Sequence, residues 1–303
     1  MQTTLTRSVS FTGVGLHGGR PVRMVVRPAP ADHGIWFVRT DLDVRIPALW
    51  DAVAQVPLCT RLDGPDGVTV STIEHIMAAL AGCGIGNVDI ELDGPEVPIL
   101  DGSAAEFVRG FLDAGLTHLD APAYALEVLR KVEVKAGLAR AAIYPADGLI
   151  IDFAIDFPDP AIGHQRHVLD MRNGAFVREL CDSRTFCRKA DVEAMHAQGL
   201  ALGGSLDNAV VVDGARVLSP GGLRHADEAV RHKMLDALGD LATAGAPILG
   251  HYEGVRAGHA LTNALLRALF ATPGAVRLVE CGPGQLRRLP GSGLVAEDLR
   301  LVA

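Results

Sequence analysis

The chain contains 303 residues, of which 49% are hydrophobic, so it can bury a substantial core and lies near the upper size limit for a single one. A formal net charge of -8 argues against a general binder of phosphate backbones, and no nucleic-acid partner is expected. No apolar run approaches the roughly 20 residues that span a bilayer, and the amino end lacks the apolar core of a signal peptide. We therefore expect a cytoplasmic protein without stable membrane insertion.

A glycine-rich segment lies among the short β-type runs that make up the first part of the chain. In TGVGLHGG, Gly13, Gly15 and Gly18 have the G-x-G-x-x-G spacing that dinucleotide-binding proteins place before a helix. The segment that follows, RPVRMVVRP, has the pattern of a strand, so no helix amino end is expected to bind a pyrophosphate. We predict a hairpin turn there, which argues against a hydride-transfer enzyme.

Helix and strand patterns recur in the same order in both halves of the chain. The first half ends with a helix in STIEHIMAALAGCG, a strand in NVDIEL and a helix in SAAEFVRGFLDAG. The second half follows THLDAPA, which has the composition of a linker, and ends with a long helix near 226–244, the strand PILGHYEGV and the helix HALTNALLRALFA. This order predicts two α+β domains of related architecture, 1–121 and 122–303. Extra strand-helix-strand material at about 184–218 is expected to build part of a site.

The long helix carries a row of polar side chains in AVRHKMLDALGDL. His232, Asp236 and Asp240 are four residues apart and therefore share one helix face, opposite an apolar one. A zinc hydrolase uses three protein ligands, commonly histidine nitrogens and a carboxylate, and leaves a fourth position open. The row fits two of those ligands, but taken by itself its pattern favours a solvated helix face.

A second pair of chemically active residues, Glu74 and His75, begins the first predicted helix. His75 is a candidate third ligand, and Glu74 would then be placed to accept a proton from water. The alternative is structural, because Ser71-x-x-Glu74 has the pattern of a capping box, in which Glu74 would bind the Ser71 amide. His259 also begins a predicted helix, where it is either a proton donor or a capping or surface residue.

Eight segments that together span nearly the whole chain carry a resemblance to one family. In chain order they are TGVGLHGG with RPAPA, STIEHIMAALAGCGIGNVDIE, PEVPILDGSAAEFV, DFAIDFPDPAIG, SRTF, GGSLDNAVVVD, LRHADEAVRHKMLDALGDL and GHALTNALL. In these segments the chain resembles the UDP-3-O-acyl-N-acetylglucosamine deacetylases of lipid A biosynthesis. The resemblance implies hydrolysis of the N-acetyl group of UDP-3-O-[(3R)-3-hydroxyacyl]-N-acetylglucosamine to the free amine and acetate, with zinc as cofactor. It also implies two α+β domains with helices sandwiched between two sheets.

The resemblance also assigns the metal ligands and the base. It implies that His75, His232 and Asp236 bind zinc and that Glu74 is the catalytic base. The remaining catalytic roles fall on three other residues. His259 matches the residue that stabilises the developing charge and protonates the leaving amine, Asp240 its orienting carboxylate, and Thr185 the hydroxyl that assists the oxyanion.

The substrate contacts implied by the resemblance fall into two groups. Those expected to face the sugar, the diphosphate or the uridine are Phe186, Lys233, Arg256, Asp156 and Phe157. The insertion resembles the family's passage for a fatty acyl chain, and its expected lining is Val192, Leu200, Leu206 and Val211. The chain departs from the family at the rim of that passage, where Cys187, Arg188 and Lys189 replace the glycine and larger apolar residues that are common there.

Two further functions remain open at this stage. One is a nucleotide-sugar-binding protein that keeps the fold without the chemistry, and the other is a zinc amidohydrolase for another acylated sugar. The joint presence of the ligand types and a base favours the enzyme. We expect a monomer whose partner is a UDP-sugar with one fatty acyl chain.

Overall fold

The computed structural model describes residues 1–302 and has the α+β architecture that the sequence predicts. The first part of the chain forms the strands β1 (Thr3–Leu5), β2 (Val9–Val14), β3 (Pro21–Pro28), β4 (Ile35–Arg39), β5 (Val44–Pro47), β6 (Val53–Ala54), β7 (Arg61–Asp63), β8 (Thr69–Val70), β9 (Val88–Leu92) and β10 (Leu116–His118), and the helices α1 (Glu74–Gly82) and α2 (Ala105–Ala114). A 3-10 turn covers Pro65–Gly67.

The rest of the chain begins with five consecutive strands and then combines helices with further strands. Its strands are β11 (Tyr124–Val128), β12 (Val132–Ala136), β13 (Ala139–Pro145), β14 (Leu149–Asp156), β15 (His164–Asp170), β16 (Phe186–Arg188), β17 (Val210–Asp213), β18 (Arg216–Val217), β19 (Ile248–Val255) and β20 (Val276–Glu280). Its helices are α3 (Ala175–Glu179), α4 (Lys189–Ala197), α5 (Glu228–Ala242), α6 (His259–Ala271) and α7 (Pro283–Leu286), followed by a 3-10 helix at Ala296–Leu301.

Two larger sheets form the outer layers. The first has the order β2-β3-β9-β4-β5, and the second has the order β12-β13-β19-β11-β20, with β14 paired to β19 and β15 to β14. Strands β2 and β3 are antiparallel, with Val14 opposite Pro21, so the later part of TGVGLHGG lies in the hairpin turn that the sequence predicts. A strand therefore follows the glycines, as expected from the absence of a dinucleotide-binding pattern.

The helices lie between these sheets and bring the polar residues of the two halves together. Helix α1 packs against α5, α6 packs against β12 and β13, α5 also contacts β14 and β15, and α2 contacts β2. Helices α1 and α5 approach closely at Gly239, where a Cβ atom would lie 2.0 Å from the carbonyl oxygen of Glu74. Only glycine fits there, and its absence of a side chain allows the first turn of α1 to lie against the middle of α5.

The polar row of α5 is buried, so its interpretation as a solvated face is wrong. His232 is 2% exposed, and Asp236 and Asp240 are each 4% exposed. The apolar face on the other side of the helix is buried as well, since Met234 and Leu241 belong to the main core. The amphipathic pattern remains, but α1 covers the polar side of α5 where water was expected.

The segment between residues 184 and 218 contains β16, α4, β17 and β18. Strands β16 and β17 are parallel and α4 connects them, while β18 pairs antiparallel to β17. Helix α4 contributes no buried residue, which distinguishes it from the central helices. Within residues 1–302, none of the helices is long and apolar enough to cross a membrane.

Candidate metal centre

Three side chains from α1 and α5 converge at the contact between the two helices. The Nε2 atoms of His75 and His232 lie 3.6 Å and 3.3 Å from Oδ1 of Asp236. The candidate ligand atoms of all three residues lie within 4.8 Å of one another, and all three side chains are buried. The two imidazole rings meet edge to face at 88° with their centroids 5.0 Å apart. Two imidazole nitrogens and one carboxylate oxygen make up the donor set that divalent transition metals bind.

The surrounding hydrogen bonds leave ligand atoms of this cluster available for a metal ion. Nδ1 of His232 lies 3.0 Å from the carbonyl oxygen of Ser183, and because a carbonyl only accepts, Nδ1 carries the proton and Nε2 has a free lone pair. Nζ of Lys233 donates to Oδ2 of Asp236 at 2.7 Å. Oδ1 of Asp236 is buried and has no hydrogen-bond partner among residues 1–302. A bound cation would satisfy this buried oxygen, so the residues present fit a metal ion.

Burial and neighbouring charges favour the ionisation states that metal binding requires. Burial, together with the nearby His232, lowers the pKa of His75 to about 3, and burial also lowers the pKa of His232. Burial opposes the ionisation of Asp236, but His232 and Lys233 outweigh it and hold the pKa of Asp236 well below its usual range. Two neutral histidines and one carboxylate are thus the stable forms at neutral pH.

Glu74 lies beside the cluster but is not part of a capping box. Helix α1 begins at Glu74 without a side-chain cap, and the Ser71 amide donates instead to the carbonyl oxygen of Pro95. Oε2 of Glu74 accepts from the main-chain N–H of Thr60 at 2.9 Å, while Oε1 lies 3.9 Å from Nε2 of His259. The capping-box interpretation is wrong because the Ser71 amide pairs with a neighbouring loop, which leaves the carboxylate facing the cluster.

His259 begins α6 and pairs with Asp240 in the same buried region. Its Nδ1 lies 3.0 Å from Oδ2 of Asp240, and its Nε2 lies 3.9 Å from Oδ2 of Asp236. Burial alone would lower the pKa of His259, but the charges of Asp240 and Glu74 raise it to about 9. Burial raises the pKa of Glu74 to about 7, and His259 opposes that rise. The site therefore holds a proton acceptor and a proton donor with different affinities for protons.

The predicted sugar residue Phe186 lies next to His232, and the predicted oxyanion residue Thr185 directly precedes it in the chain. The main-chain N–H of Thr185 donates to the carbonyl oxygen of Gly102 at 2.7 Å, and this bond holds the backbone of Thr185 in place. The ring of Phe186 lies edge-on to His232 with centroids 6.3 Å apart and to Phe157 at 5.3 Å. Phe157 and Phe186 thus form an aromatic edge next to the ligand row.

Two of the predicted diphosphate and uridine contacts, Arg256 and Asp156, lie at the surface. Arg256 donates to Asp156, and both side chains are exposed at the surface. In the insertion, Val211 is buried, Val192 and Leu200 are half-buried, and Leu206 is exposed. At the rim, Arg188 pairs with Asp159, and Lys189 Nζ lies 3.5 Å from Oδ2 of Asp213. These two rim cations therefore already have carboxylate partners.

Sequence patterns did not identify several residues that shape this site. Thr60 and Ser183 contact the ligand and catalytic side chains, although Thr60 precedes Asp240 by 180 residues. His17, in the β2–β3 turn, has a buried Nε2 with no hydrogen-bond partner among residues 1–302. His17 lies in a segment that carried the family resemblance, so that segment was the available signal. Ser183 likewise begins the segment SRTF of that resemblance, whereas Thr60 lies outside all eight segments and had no local signal, because its role depends on contacts between distant parts of the chain.

Comparison with known proteins agrees with this geometry. Residues 2–271 match the family model described as LpxC: UDP-3-O-acyl N-acetylglycosamine deacetylase. The chain belongs to this family. A relative named UDP-3-O-acyl-N-acetylglucosamine deacetylase from Anaeromyxobacter sp. (strain Fw109-5) is 49% identical over 278 residues, which cover 92% of this chain and 91% of the relative. The resemblance inferred from the sequence is therefore confirmed, and the chain is a deacetylase of this family.

Two other members with the same printed name match over similar lengths. The one from Phenylobacterium zucineum (strain HLK1) is 52% identical over 280 residues, covering 91% of this chain and 96% of the relative. The one from Pasteurella multocida (strain Pm70) is 48% identical over 282 residues, covering 92% of each chain. In this deacetylase, the matched range includes both α1 and α5, which carry the His75, His232 and Asp236 cluster.

Proposed function

We propose that this deacetylase is a zinc-dependent hydrolase that removes the N-acetyl group from UDP-3-O-[(3R)-3-hydroxyacyl]-N-acetylglucosamine, an early step of lipid A biosynthesis. The observation that carries the proposal is the cluster of two histidines and one aspartate that could bind a metal ion. Beside this cluster lie the Oε1 atom of Glu74 and the hydrogen-bonded pair of His259 and Asp240. Amide hydrolysis needs an activated water, a proton acceptor and a proton donor, and this cluster contains groups suited to each task.

His75, His232 and Asp236 would hold the metal ion through Nε2, Nε2 and Oδ1. Zinc bound there supplies Lewis-acid chemistry, which lowers the pKa of water from about 16 toward about 7. Ser183 fixes the tautomer of His232, and Lys233 neutralises the other oxygen of Asp236. This arrangement favours zinc over magnesium or calcium, which prefer ligand sets made only of oxygen.

Glu74 is the proposed base. Its Oε2 is held by the Thr60 amide, so Oε1 is the atom that accepts the proton as water attacks the acetyl carbonyl. A pKa of about 7 leaves a substantial fraction of Glu74 ionised at neutral pH and able to accept that proton.

His259 is the proposed acid. Its Nδ1 faces Asp240, so Nε2 is the atom that delivers a proton to the sugar nitrogen as the C–N bond breaks and acetate leaves. A raised pKa keeps His259 protonated before that step. The Thr185 hydroxyl and the charge of protonated His259 are proposed to stabilise the negative charge that develops on the acetyl oxygen.

The substrate contacts form a second part of the proposal. Phe186 presents aromatic surface next to the ligand row, which suits packing against the sugar ring, and Phe157, whose ring meets that of Phe186, is proposed with Asp156 to contact the uridine. Lys233 is proposed to face the sugar side, and Arg256 with Asp156 the diphosphate and uridine. The acidic chain as a whole does not favour an anionic ligand, so these local basic groups have to supply the attraction.

The insertion is proposed to hold the fatty acyl chain. This segment has apolar side chains that range from buried to exposed, at Val192, Leu200, Leu206 and Val211.

We also propose a domain boundary near residue 121, between β10 and β11. The enzyme is further proposed to be a monomer and to be located in the cytoplasm. In this proposal the enzyme is not anchored in the bilayer, and the nucleotide sugar with its single acyl chain enters the site from solution.

One experiment tests the main proposal. The protein is purified without chelator, its zinc and iron contents are measured, and acetate release is followed with the nucleotide sugar with and without its 3-O-acyl chain. We expect about one zinc ion per chain and much faster release from the acylated substrate. Substrate binding without acetate release would favour a binding protein, and equal rates on both substrates would favour an amidohydrolase for another acylated sugar.

A further inference from the structure

Thr60 occupies a buried position between the two carboxylates that flank the metal centre. It lies in the loop between β6 and β7 and is 3% exposed. Its main-chain N–H donates to Oε2 of Glu74 at 2.9 Å, and its Oγ1 donates to Oδ1 of Asp240 at 2.5 Å. Its carbonyl oxygen accepts from the Ile73 amide at 3.2 Å, which attaches the same residue to the start of α1.

We infer that Thr60 is a positioning residue that sets the relative orientation of the base and of the carboxylate that orients the acid. This inference rests on the proposed function, because it takes Glu74 and Asp240 as parts of the catalytic machinery. Thr60 contacts none of the three proposed metal ligands through a hydrogen bond given by the structure. Its effect should therefore be on turnover and not on metal content.

The side-chain hydroxyl acts on the carboxylate of Asp240. A carboxylate can rotate about its χ2 angle unless its oxygens are held. His259 Nδ1 lies 3.2 Å from Oδ1 and 3.0 Å from Oδ2 of Asp240, so both oxygens must stay directed at the imidazole. The Thr60 hydroxyl binds Oδ1 from another direction, which restricts that rotation and thereby holds the ring of His259.

The main-chain N–H acts on the carboxylate of Glu74. By binding Oε2, it leaves Oε1 as the oxygen on the side of His259. The two donors of Thr60 are joined by a short, rigid piece of backbone. Because they hold one carboxylate from α1 and one from α5, they couple the geometry of the two helices at the site of proton transfer.

The experiment uses the metal-loaded enzyme and the acylated nucleotide sugar. Thr60→Val removes the hydroxyl and keeps both the shape of the side chain and the main-chain N–H. A hydrogen bond to a charged group is worth enough to change a rate by about 10- to 100-fold, so we expect kcat to fall by that factor. KM and zinc content are expected to stay unchanged, and Thr60→Ser is expected to recover most of the activity.

Thr243→Val is the matched control. Thr243 is also buried, and its Oγ1 donates at 2.6 Å to the main-chain carbonyl of the same Asp240, without touching the carboxylate. Removal of this hydroxyl is expected to lower the thermal unfolding midpoint and to leave kcat unchanged. A fall in kcat equal to that of Thr60→Val would overturn the inference, since loss of packing would then explain both.

A double-mutant cycle with Asp240→Asn separates positioning from general destabilisation. If Thr60 acts through Asp240, Thr60→Val should lower kcat much less in the Asp240→Asn variant than in the wild-type enzyme. Equal factors of loss in the two backgrounds would overturn the inference. If Thr60→Val does not fold, Thr60→Ala takes its place with the same expected loss. A Thr60→Val enzyme with wild-type kcat overturns this inference alone, whereas a wild-type enzyme that releases no acetate overturns the proposed function as well.

Discussion

The helix pair α1 and α5 differs sharply from the insertion around α4 in how its polar side chains are held. In the helix pair, Glu74, His232 and Asp240 are buried, and each has a hydrogen-bond partner outside its own helix. In the insertion, α4 has no buried residue, and Arg188 and Lys189 are tied by ion pairs near the surface. Under the proposed function, changes in the first region should affect the chemistry, and changes in the second should affect which substrate is accepted.

The difference has a physical cause. A buried polar atom that loses its hydrogen-bond partner cannot form a replacement bond to water. The stabilising free energy lost is therefore large and confined to that site. An exposed apolar residue on α4 contributes little to stability, but it can still contact an apolar chain. The following predictions proceed from the largest expected effect to the smallest.

Replacement of a proposed metal ligand should have the largest effect. His232→Ala removes one of three donors, so we expect loss of bound zinc and a fall in kcat/KM of more than about 1,000-fold, since a metal contributes several kcal/mol of charge stabilisation. Metal analysis and acetate release measure the two effects. The control is His225→Ala, which removes a partly exposed histidine paired with Asp182 and should keep the metal. Retention of stoichiometric zinc by His232→Ala would contradict the proposed ligand set.

Replacement of the base should separate metal binding from turnover. Glu74→Gln keeps the size of the side chain and an oxygen for the Thr60 amide, but it cannot accept a proton from water. We expect zinc content to be unchanged and kcat to fall by about 100- to 10,000-fold. Glu106→Gln, on the nearby α2, serves as the control and should have wild-type activity. Activity near wild type in Glu74→Gln would show that another group takes the proton.

A change in the insertion should alter the preference for acyl chains. Val192→Trp places a large ring on the half-buried side of α4, where we propose that the acyl chain binds. Each methylene that loses its apolar contacts costs about 0.8 kcal/mol, so displacement of two should raise KM for a long-chain substrate by about tenfold. KM for a short-chain substrate should change less.

The matched control for the insertion is Glu193→Trp, which adds the same ring at the adjacent exposed position of α4. It should leave both values of KM unchanged. An equal rise in KM for long and short acyl chains in Val192→Trp would argue against an acyl passage in this segment.

The smallest effect on activity is expected for a change that alters stability in acid. Burial would raise the pKa of Glu228, but hydrogen bonds from Arg184 and from the amide of Arg224 outweigh it and lower the pKa. The unfolded chain then binds the proton more tightly, so this contribution to stability is present above a pH of about 4.5 and is lost as the pH falls through the folded pKa. Urea unfolding measured from pH 7 downward should show this loss.

Glu228→Gln tests the source of that dependence. The variant should be less stable at pH 7 by about 1–3 kcal/mol, because Arg184 loses a charged partner, and its stability should fall less steeply in acid. Glu179→Gln, which alters a carboxylate that is partly exposed near Arg231, should keep the wild-type slope. If the free energy of unfolding of Glu228→Gln fell as steeply with decreasing pH as that of the wild type, other carboxylates would control stability in acid.

Much of the fold could be predicted from local patterns. The 3.6-residue period marked α1, α5 and α6, with their ends correct to within three residues, because burial of one face imposes that period on the sequence. The hairpin at TGVGLHGG was also predicted correctly, since a strand pattern follows its glycines. The environment of the helices was harder to predict. The polar row of α5 and the Ser71–Glu74 pair each suggested a local explanation, and both explanations were wrong.

The sequence by itself determined the family, the α+β elements and the residue types available for the chemistry. The tertiary structure alone decided which atoms meet. The close approach at Gly239 brings His75 to His232 and Asp236, and the β6–β7 loop places Thr60 between Glu74 and Asp240. Periodicity and capping patterns report contacts within a few residues of each other, whereas these contacts join residues up to 180 positions apart. Their geometry depends on the packing of whole helices against each other, which local patterns do not encode.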